Sequence, residues 1–201
     1  MSISTYAELQ SAVANWLARS DLTSRIPEFI ALCEAKLNRE IRAVDQDTKN
    51  TSFSINAEYV NVPSGFLQAK AFEASLGGRR YSLKLMPDEM QTDRYNDTGA
   101  PIFYSVVGSQ FRFAPAPDAT YTATLVYYTS IVGLATTSPN WVLTKHPDVY
   151  LYGSLLEAEG FIQDDARLAV WKRGYDEGIA GIRGSNNRNR WGGPGLAARP
   201  G

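Results

Sequence analysis

His146 and Cys33 carry the most ready chemistry in this chain, and each residue type occurs once. A lone histidine becomes a general base beside a nucleophile, or a ligand beside other metal-binding side chains. His146 stands in TKHPDVY with neither a serine elbow nor a second ligand at metal spacing. Its place directly before Pro147 and Asp148 suits a helix start or a local pair with Asp148 instead. Cys33 falls on an apolar helical stripe, where a free thiol behaves as a small hydrophobe. A single cysteine also excludes an intramolecular disulfide and any cysteine-based metal cluster.

Carboxylates offer the remaining route to catalysis. Glycoside hydrolysis needs two that converge on one bond. Glu157 and Glu159 are two residues apart on a predicted helix, so they point about 200° apart and cannot share a site. Asp164 and Asp165 read as caps at the start of the last helix. No GxxxxGK phosphate loop and no GxGxxG is present, so nucleotide use has no support. The chain reads as a protein that is not an enzyme and needs no cofactor or metal.

Two basic segments stand out as contact surfaces. Gly78-Arg79-Arg80 is a hairpin tip, read as a solvated turn or as a contact of Arg79 and Arg80 with a partner or a neighbouring copy. The closing stretch SNNRNRWGGPGLAARPG, 185–201, holds three arginines, one tryptophan and no acid. Those three charges on a chain of net charge −1 leave the rest at −4. A mildly acidic body with a basic arm implies a partner for the arm. The aromatics, among them Tyr104, Phe111, Phe113, Tyr127 and Trp171, lie mostly on apolar faces and read as core or subunit interface rather than base-stacking platforms.

The elements that must position these residues follow from periodicity. Thr5-Tyr6-Ala7-Glu8 matches a capping box, after which Tyr6, Leu9, Val13 and Trp16 recur at helical spacing. Ser20-Asp21 interrupts the pattern. A second helix follows with Pro27 in its first turn and a stripe of Ile26, Ile30, Cys33, Leu37 and Ile41, so a helical hairpin is predicted. Between Thr51 and Val132 the period falls to two. Seven or so short strands are predicted there, with turns at Pro63-Ser64-Gly65, Gly77-Gly78, Gly108-Ser109 and Pro115 to Asp118, and a short helix over Pro87–Tyr95. Helical spacing returns from Pro147 to about Gln163, and again through Leu168, Trp171, Tyr175, Ile179 and Ile182, with Gly184 as C-cap.

The predicted fold is therefore α+β: a four-helix bundle of two N-terminal and two C-terminal helices, with an inserted antiparallel β lobe and an extended C-terminal arm. The divisions are 1–45 for the first helical pair, 46–135 for the β lobe, 136–184 for the second pair and 185–201 for the arm. Hydrophobic residues at 44% against 20% charged place the chain with globular proteins rather than disordered ones. The opening MSISTYAELQ lacks a basic segment followed by an apolar run, and no stretch of about 18 apolar residues occurs. A soluble product, made in a cytoplasm and without a membrane partner, is expected.

Three segments in order resemble one known family. Thr5 to Arg42 (TYAELQSAVANWLARSDLTSRIPEFIALCEAKLNREIR) is similar to the opening helices of bacteriophage head-to-tail adaptor proteins, also called connector or head-completion proteins. Gly99 to Ile131 (GAPIFYSVVGSQFRFAPAPDATYTATLVYYTSI) resembles their strand region, and Asn140 to Ile182 their closing helices. Asp45 to Asp97 matches more loosely. The resemblance implies a cyclic homo-oligomer of about twelve subunits beneath the portal, with heterologous contacts between copies. Such a ring would extend the DNA channel and join portal to tail, with the portal protein, a tail or nozzle protein and further copies of itself as partners. Genomic DNA would pass through the lumen without specific binding, and the protein would reside in the virion neck after synthesis in the bacterial host. On the same resemblance the arm docks on the portal. Arg188, Arg190 and Arg199 would pair with portal carboxylates, Trp191 and Leu196 would fill apolar pockets, and Gly192 to Gly195 would let the backbone bend. Two alternatives stay open: a tail-completion protein that binds the tail side only, and a virion-associated cell-wall hydrolase.

Overall fold

In the computed structural model, which describes residues 3–90, 97–162 and 166–191, the chain enters α1 (Tyr6–Leu17) through the predicted capping box. The Glu8 amide donates to Thr5 Oγ1 at 3.2 Å, and the Thr5 amide donates to Glu8 Oε2 at 3.0 Å. Leu9, Ala12, Val13 and Leu17 form the buried face. Trp16, expected on that face, stays 44% exposed and sets its ring edge-on to Tyr152, with centroids 5.8 Å apart. The break expected at Ser20-Asp21 is a 3-10 helix, Ser20–Arg25, leading directly into α2 (Ile26–Glu40). All five residues of the α2 stripe, Ile26, Ile30, Cys33, Leu37 and Ile41, are buried.

The third helix, predicted from Pro147 to about Gln163, is two, α4 (Pro147–Glu157) and α5 (Glu159–Ile162), and a short helix that was not predicted, α3 (Trp141–Lys145), precedes it. Pro147 has no N–H for a preceding turn and crowds the backbone of His146, which leaves the helical region at φ −139, ψ 58. Helix α4 is the centre of its unit. It packs against α1, α2, α3 and the long last helix α6 (Arg167–Trp191). Its sequence explains this, because Val149, Tyr150, Leu151, Gly153, Ser154 and Leu155 bury nearly every side of it. Gly153 permits the closest approach: a Cβ there would lie 2.4 Å from Cys33 Sγ and 3.1 Å from the Tyr175 ring.

Residues Gln46–Ser130 form a second compact unit. Its strands are β1 (Asp47–Ile55), β2 (Tyr59–Asn61), β3 (Phe66–Leu76), β4 (Arg79–Ser82), β5 (Lys84–Leu85), β6 (Phe103–Val107), β7 (Gln110–Ala114) and β8 (Tyr121–Thr129). They pair as two four-stranded sheets, in the orders β1-β8-β3-β4 and β2-β7-β6-β5. The period-2 pattern of β8 buries Tyr121, Ala123, Leu125 and Tyr127 on one face. Phe72 from the first sheet meets Tyr104 and Phe111 from the second at centroid distances of 5.2 and 5.3 Å, so interdigitated rings join the two sheets. Gly77 and Gly78, at φ 56 and 79, make the predicted hairpin turn.

The fold therefore departs from a four-helix bundle carrying a small lobe. The described residues hold six named α-helices, and two full sheets make up the β unit. That unit is not wholly antiparallel, because β5 pairs parallel to β6. The extended arm is also revised: α6 continues through Gly184 to Trp191, so 185–191 are helical. The helix expected over Pro87–Tyr95 is seen at residues 88–90, and 91–96 lie outside the described residues, as do Gln163, Asp164, Asp165 and 192–201. No helix among the described residues is long and apolar enough to cross a membrane.

Candidate functional site

The C-terminal end of α6 is built on one carboxamide. Asn186 Nδ2 donates to the Arg42 carbonyl at 3.1 Å, and its Oδ1 accepts from the Val44 amide at 3.0 Å. One side chain thus supplies both a donor and an acceptor to the chain that leaves α2. Ile182 is buried one turn earlier, and Arg183 Nη2 reaches the Glu40 carbonyl at 3.4 Å. Beyond Asn186 the surface opens, with Asn187, Arg188 and Asn189 exposed. From Gly178 to Trp191 there are three arginines and no acid. Cations at a helix C-terminus complement the negative end of its dipole. Among the described residues no carboxylate pairs with Arg183 or Arg188, so these guanidiniums can offer charge-assisted bonds to an outside acceptor.

Of the five arm residues singled out in the sequence, Arg188, Arg190 and Trp191 fall in the last turns of α6. Leu196 and Arg199, with Gly192 to Gly195 between, lie outside the described residues. Arg79 and Arg80 belong to the other unit, exposed in β4 next to the hairpin turn. Arg80 there borders a shallow polar groove with Glu73, Thr51, Thr122 and Thr124.

Among the described residues, those with catalytic potential do not converge. His146 caps the start of α4 and sets its ring edge-on to Trp141, centroids 6.4 Å apart. Cys33 is fully buried, and burial, aided by the charges of Glu157 and Glu34, pushes its thiol up to about 12. That is the reverse of what a nucleophile needs. Glu157 lies 4.0 Å from Lys36, whereas Glu159 is exposed on the separate helix α5. Among the described residues no group of three or more His, Cys, Asp or Glu side chains could hold a metal ion.

One polar cluster was not anticipated from the sequence. Glu34 Oε1 accepts from the Leu134 amide at 2.7 Å and from the Tyr150 hydroxyl at 3.3 Å. Asn140 Nδ2 donates to that hydroxyl oxygen at 2.6 Å and to the Val132 carbonyl at 2.9 Å. Asn38, four residues beyond Glu34 on α2, accepts from the Ile131 amide at 2.7 Å and donates to its carbonyl at 3.3 Å. Burial raises the Glu34 carboxyl above the usual carboxylate range, and burial also raises Tyr150. The cluster clamps residues 131–134 to α2. Its signal in the sequence was the polar i, i+4 pair Glu34 and Asn38 beside the buried Cys33 and Leu37.

Comparison with protein families finds a match between residues 4–198 and the family model described as SU10 adaptor protein. Among curated proteins no match is found.

Proposed function

The chain belongs to the SU10 adaptor protein family, a family of phage head-tail adaptors, and from that premise we propose that it joins the portal of a tailed bacteriophage to its tail. The family match over residues 4–198 carries this reading. In it the protein works as a closed ring of about twelve copies beneath the portal, each copy making heterologous contacts with the next. The ring sits in the virion neck, extends the DNA channel and presents a surface to the tail or nozzle protein. DNA passes through without specific binding, and a body at net −4 outside the closing stretch agrees with a channel that does not hold phosphates.

Portal docking falls to the end of the chain. Asn186 fixes the helix at one point, and the exposed, acid-free turn beyond it presents Arg188 and leads to Arg190, Trp191, Leu196 and Arg199. Guanidiniums recognise portal carboxylates, while Trp191 and Leu196 supply apolar anchors. Arg79 and Arg80 are left for a contact with a neighbour or the tail side.

The test is co-purification with the portal, followed by imaging of particle symmetry. The full chain is expected to form a ring on the portal, and a chain ending at Trp191 or carrying Arg188→Glu is expected to bind it at least ten-fold more weakly. A monomer that ignores the portal overturns the adaptor reading. Undiminished portal binding by both variants overturns the docking role, and binding to the tail component alone assigns the protein to the tail side.

A further inference from the structure

Helices α4 and α6 leave an open trough of about 480 Å³ along one side of the helical unit. Tyr152, Ala169, Val170 and Gly174 line it, with Arg173 and Glu177 as its charged members. At Gly174 a Cβ would lie 2.6 Å from the Tyr152 ring, so the glycine lets that ring form the floor. Val170 is 64% exposed, and Trp16, edge-on to Tyr152, is also exposed. An apolar patch with a charged border is the kind of surface that another protein covers.

The same unit carries a matching ridge on a different face. On α2 the stripe of Ile26, Phe29, Ile30, Cys33 and Leu37 is buried. On its solvent side Glu28, Ala31, Leu32, Ala35 and Arg39 recur at helical spacing, all exposed, with Leu32 at 52%. Leu32 is thus one large apolar knob between two alanines, small enough to let a facing helix come close.

Charge decides how ridge and trough meet. Glu28 stands four residues before Leu32 and Arg39 seven after it, while on α6 Arg173 stands one before Gly174 and Glu177 three after. With Leu32 over Gly174 and the two helices parallel, Glu28 falls within about 5 Å of Arg173 along the axis, and Arg39 within about 6 Å of Glu177. Opposite signs then meet in both places. Antiparallel packing would set Glu28 beside Glu177 and Arg39 beside Arg167 instead. Glu28, Arg173 and Glu177 are all more than half exposed, in local ion pairs that a neighbour can share. Among the described residues no carboxylate pairs with Arg39.

Parallel is also the direction that a ring supplies. Within one chain α2 and α6 run the same way: Lys36 lies over the Tyr175 ring, Arg183 reaches the Glu40 carbonyl and Asn186 the Arg42 carbonyl, ascending along both helices. Successive copies in a ring of about twelve are turned by only about 30°, which keeps α2 of one copy nearly parallel to α6 of the next.

We propose that the α2 ridge of one copy packs into the α4 and α6 trough of the next, Leu32 on Gly174 and Val170, Glu28 near Arg173 and Arg39 near Glu177. The contact is head-to-tail, because ridge and trough are different surfaces of one unit. It stands on the shape and charge of those two surfaces; its repetition into a closed ring rests on the adaptor reading above.

Cross-linking between two full-length chains with tags of different length tests the contact. One carries Leu32→Cys and the other Val170→Cys, both at exposed positions, while native Cys33 stays buried. Under mild oxidation the mixture is expected to give a heterodimeric band at least five-fold stronger than Leu32→Cys mixed with Asn187→Cys, an exposed site about 25 Å further along α6. Arg39→Glu on the first chain is expected to lower the yield about two- to five-fold, and Glu177→Arg on the second to restore most of it. A band no stronger than the control, which leaves the trough to a different partner, overturns the proposal. So does a yield that the exchange of charge at Arg39 and Glu177 does not recover. Portal binding and ring imaging are scored separately. A cross-link without portal binding removes the adaptor reading alone, and rings on the portal without a cross-link remove this contact alone.

Discussion

Gly153 and Cys33 meet so closely that a Cβ on the glycine would stand 2.4 Å from the cysteine sulfur. Both residues are buried, and the Tyr175 ring closes the third side at 3.1 Å from the same point. Gly153→Val is expected to destabilise the protein by about 1–3 kcal/mol through overpacking. In a Cys33→Ala background the loss should shrink by about 1 kcal/mol or more, a coupling that urea unfolding of the four chains of the cycle measures. Equal losses in both backgrounds would deny the contact.

Asn186 both ends the packed part of α6 and holds residues 42–44. Asn186→Ala removes two hydrogen bonds to backbone and is expected to cost about 1–3 kcal/mol. Asn186→Asp keeps the acceptor for the Val44 amide and loses the donor to the Arg42 carbonyl, so an intermediate loss is expected. Amide exchange at Val44 reads the difference directly: fast in the alanine variant, protected in the aspartate variant.

Arg112 in β7 gathers two acids on the outer face of its sheet. Its Nε donates to Glu58 Oε1 at 2.8 Å and its Nη1 to Asp88 Oδ1 at 2.9 Å, with the Arg112 side chain only 12% exposed. Arg112→Met is expected to cost about 1.5–3 kcal/mol, the range for bonds to charged groups. Lysine keeps the charge but has no fork to serve both acids, so Arg112→Lys should recover less than half of that loss. Thermal unfolding of the three proteins is the measurement, and full recovery by lysine would contradict the two-point geometry.

Glu34 gives the molecule a pH dependence of definite sign. Burial raises its carboxyl in the folded protein, against the lowering effect of the Leu134 amide and the Tyr150 hydroxyl. A group raised on folding contributes stability that is complete below its unfolded value, about 4.3 for glutamate, and is lost as pH rises through the folded value. Between those two values the native protein should lose unfolding free energy that Glu34→Gln retains. The glutamine keeps an acceptor for both donors, so its melting temperature should exceed the native one at neutral pH. Parallel pH profiles for the two proteins would remove Glu34 as the cause.

Local features were legible because their causes are local. The capping box of Thr5 and Glu8, the α2 stripe and the Gly77-Gly78 hairpin each depend on residues a few positions apart. Failures came where distant contacts outweighed a local preference. Gly184 looks like a helix stop, yet two residues later Asn186 binds the backbone at 42–44 and the helix continues to Trp191. Periodicity revealed strands but not their partners, and so missed that β8 lies between β1 and β3 and that β5 runs parallel to β6. The Glu34, Tyr150 and Asn140 cluster was equally hidden, since it joins residues more than a hundred positions apart.

Taken alone, the sequence established an α+β chain with helices at both ends, strands between and a basic, acid-free closing stretch. These are properties of composition and short-range spacing, which survive any arrangement in space. Tertiary structure decided that α4 is the buried centre of its unit, that the β part is two sheets joined by aromatic rings, and that the last helix is pinned at Asn186. Each of those depends on which surfaces meet, because burial and hydrogen bonding reward the best available partner wherever in the chain it lies.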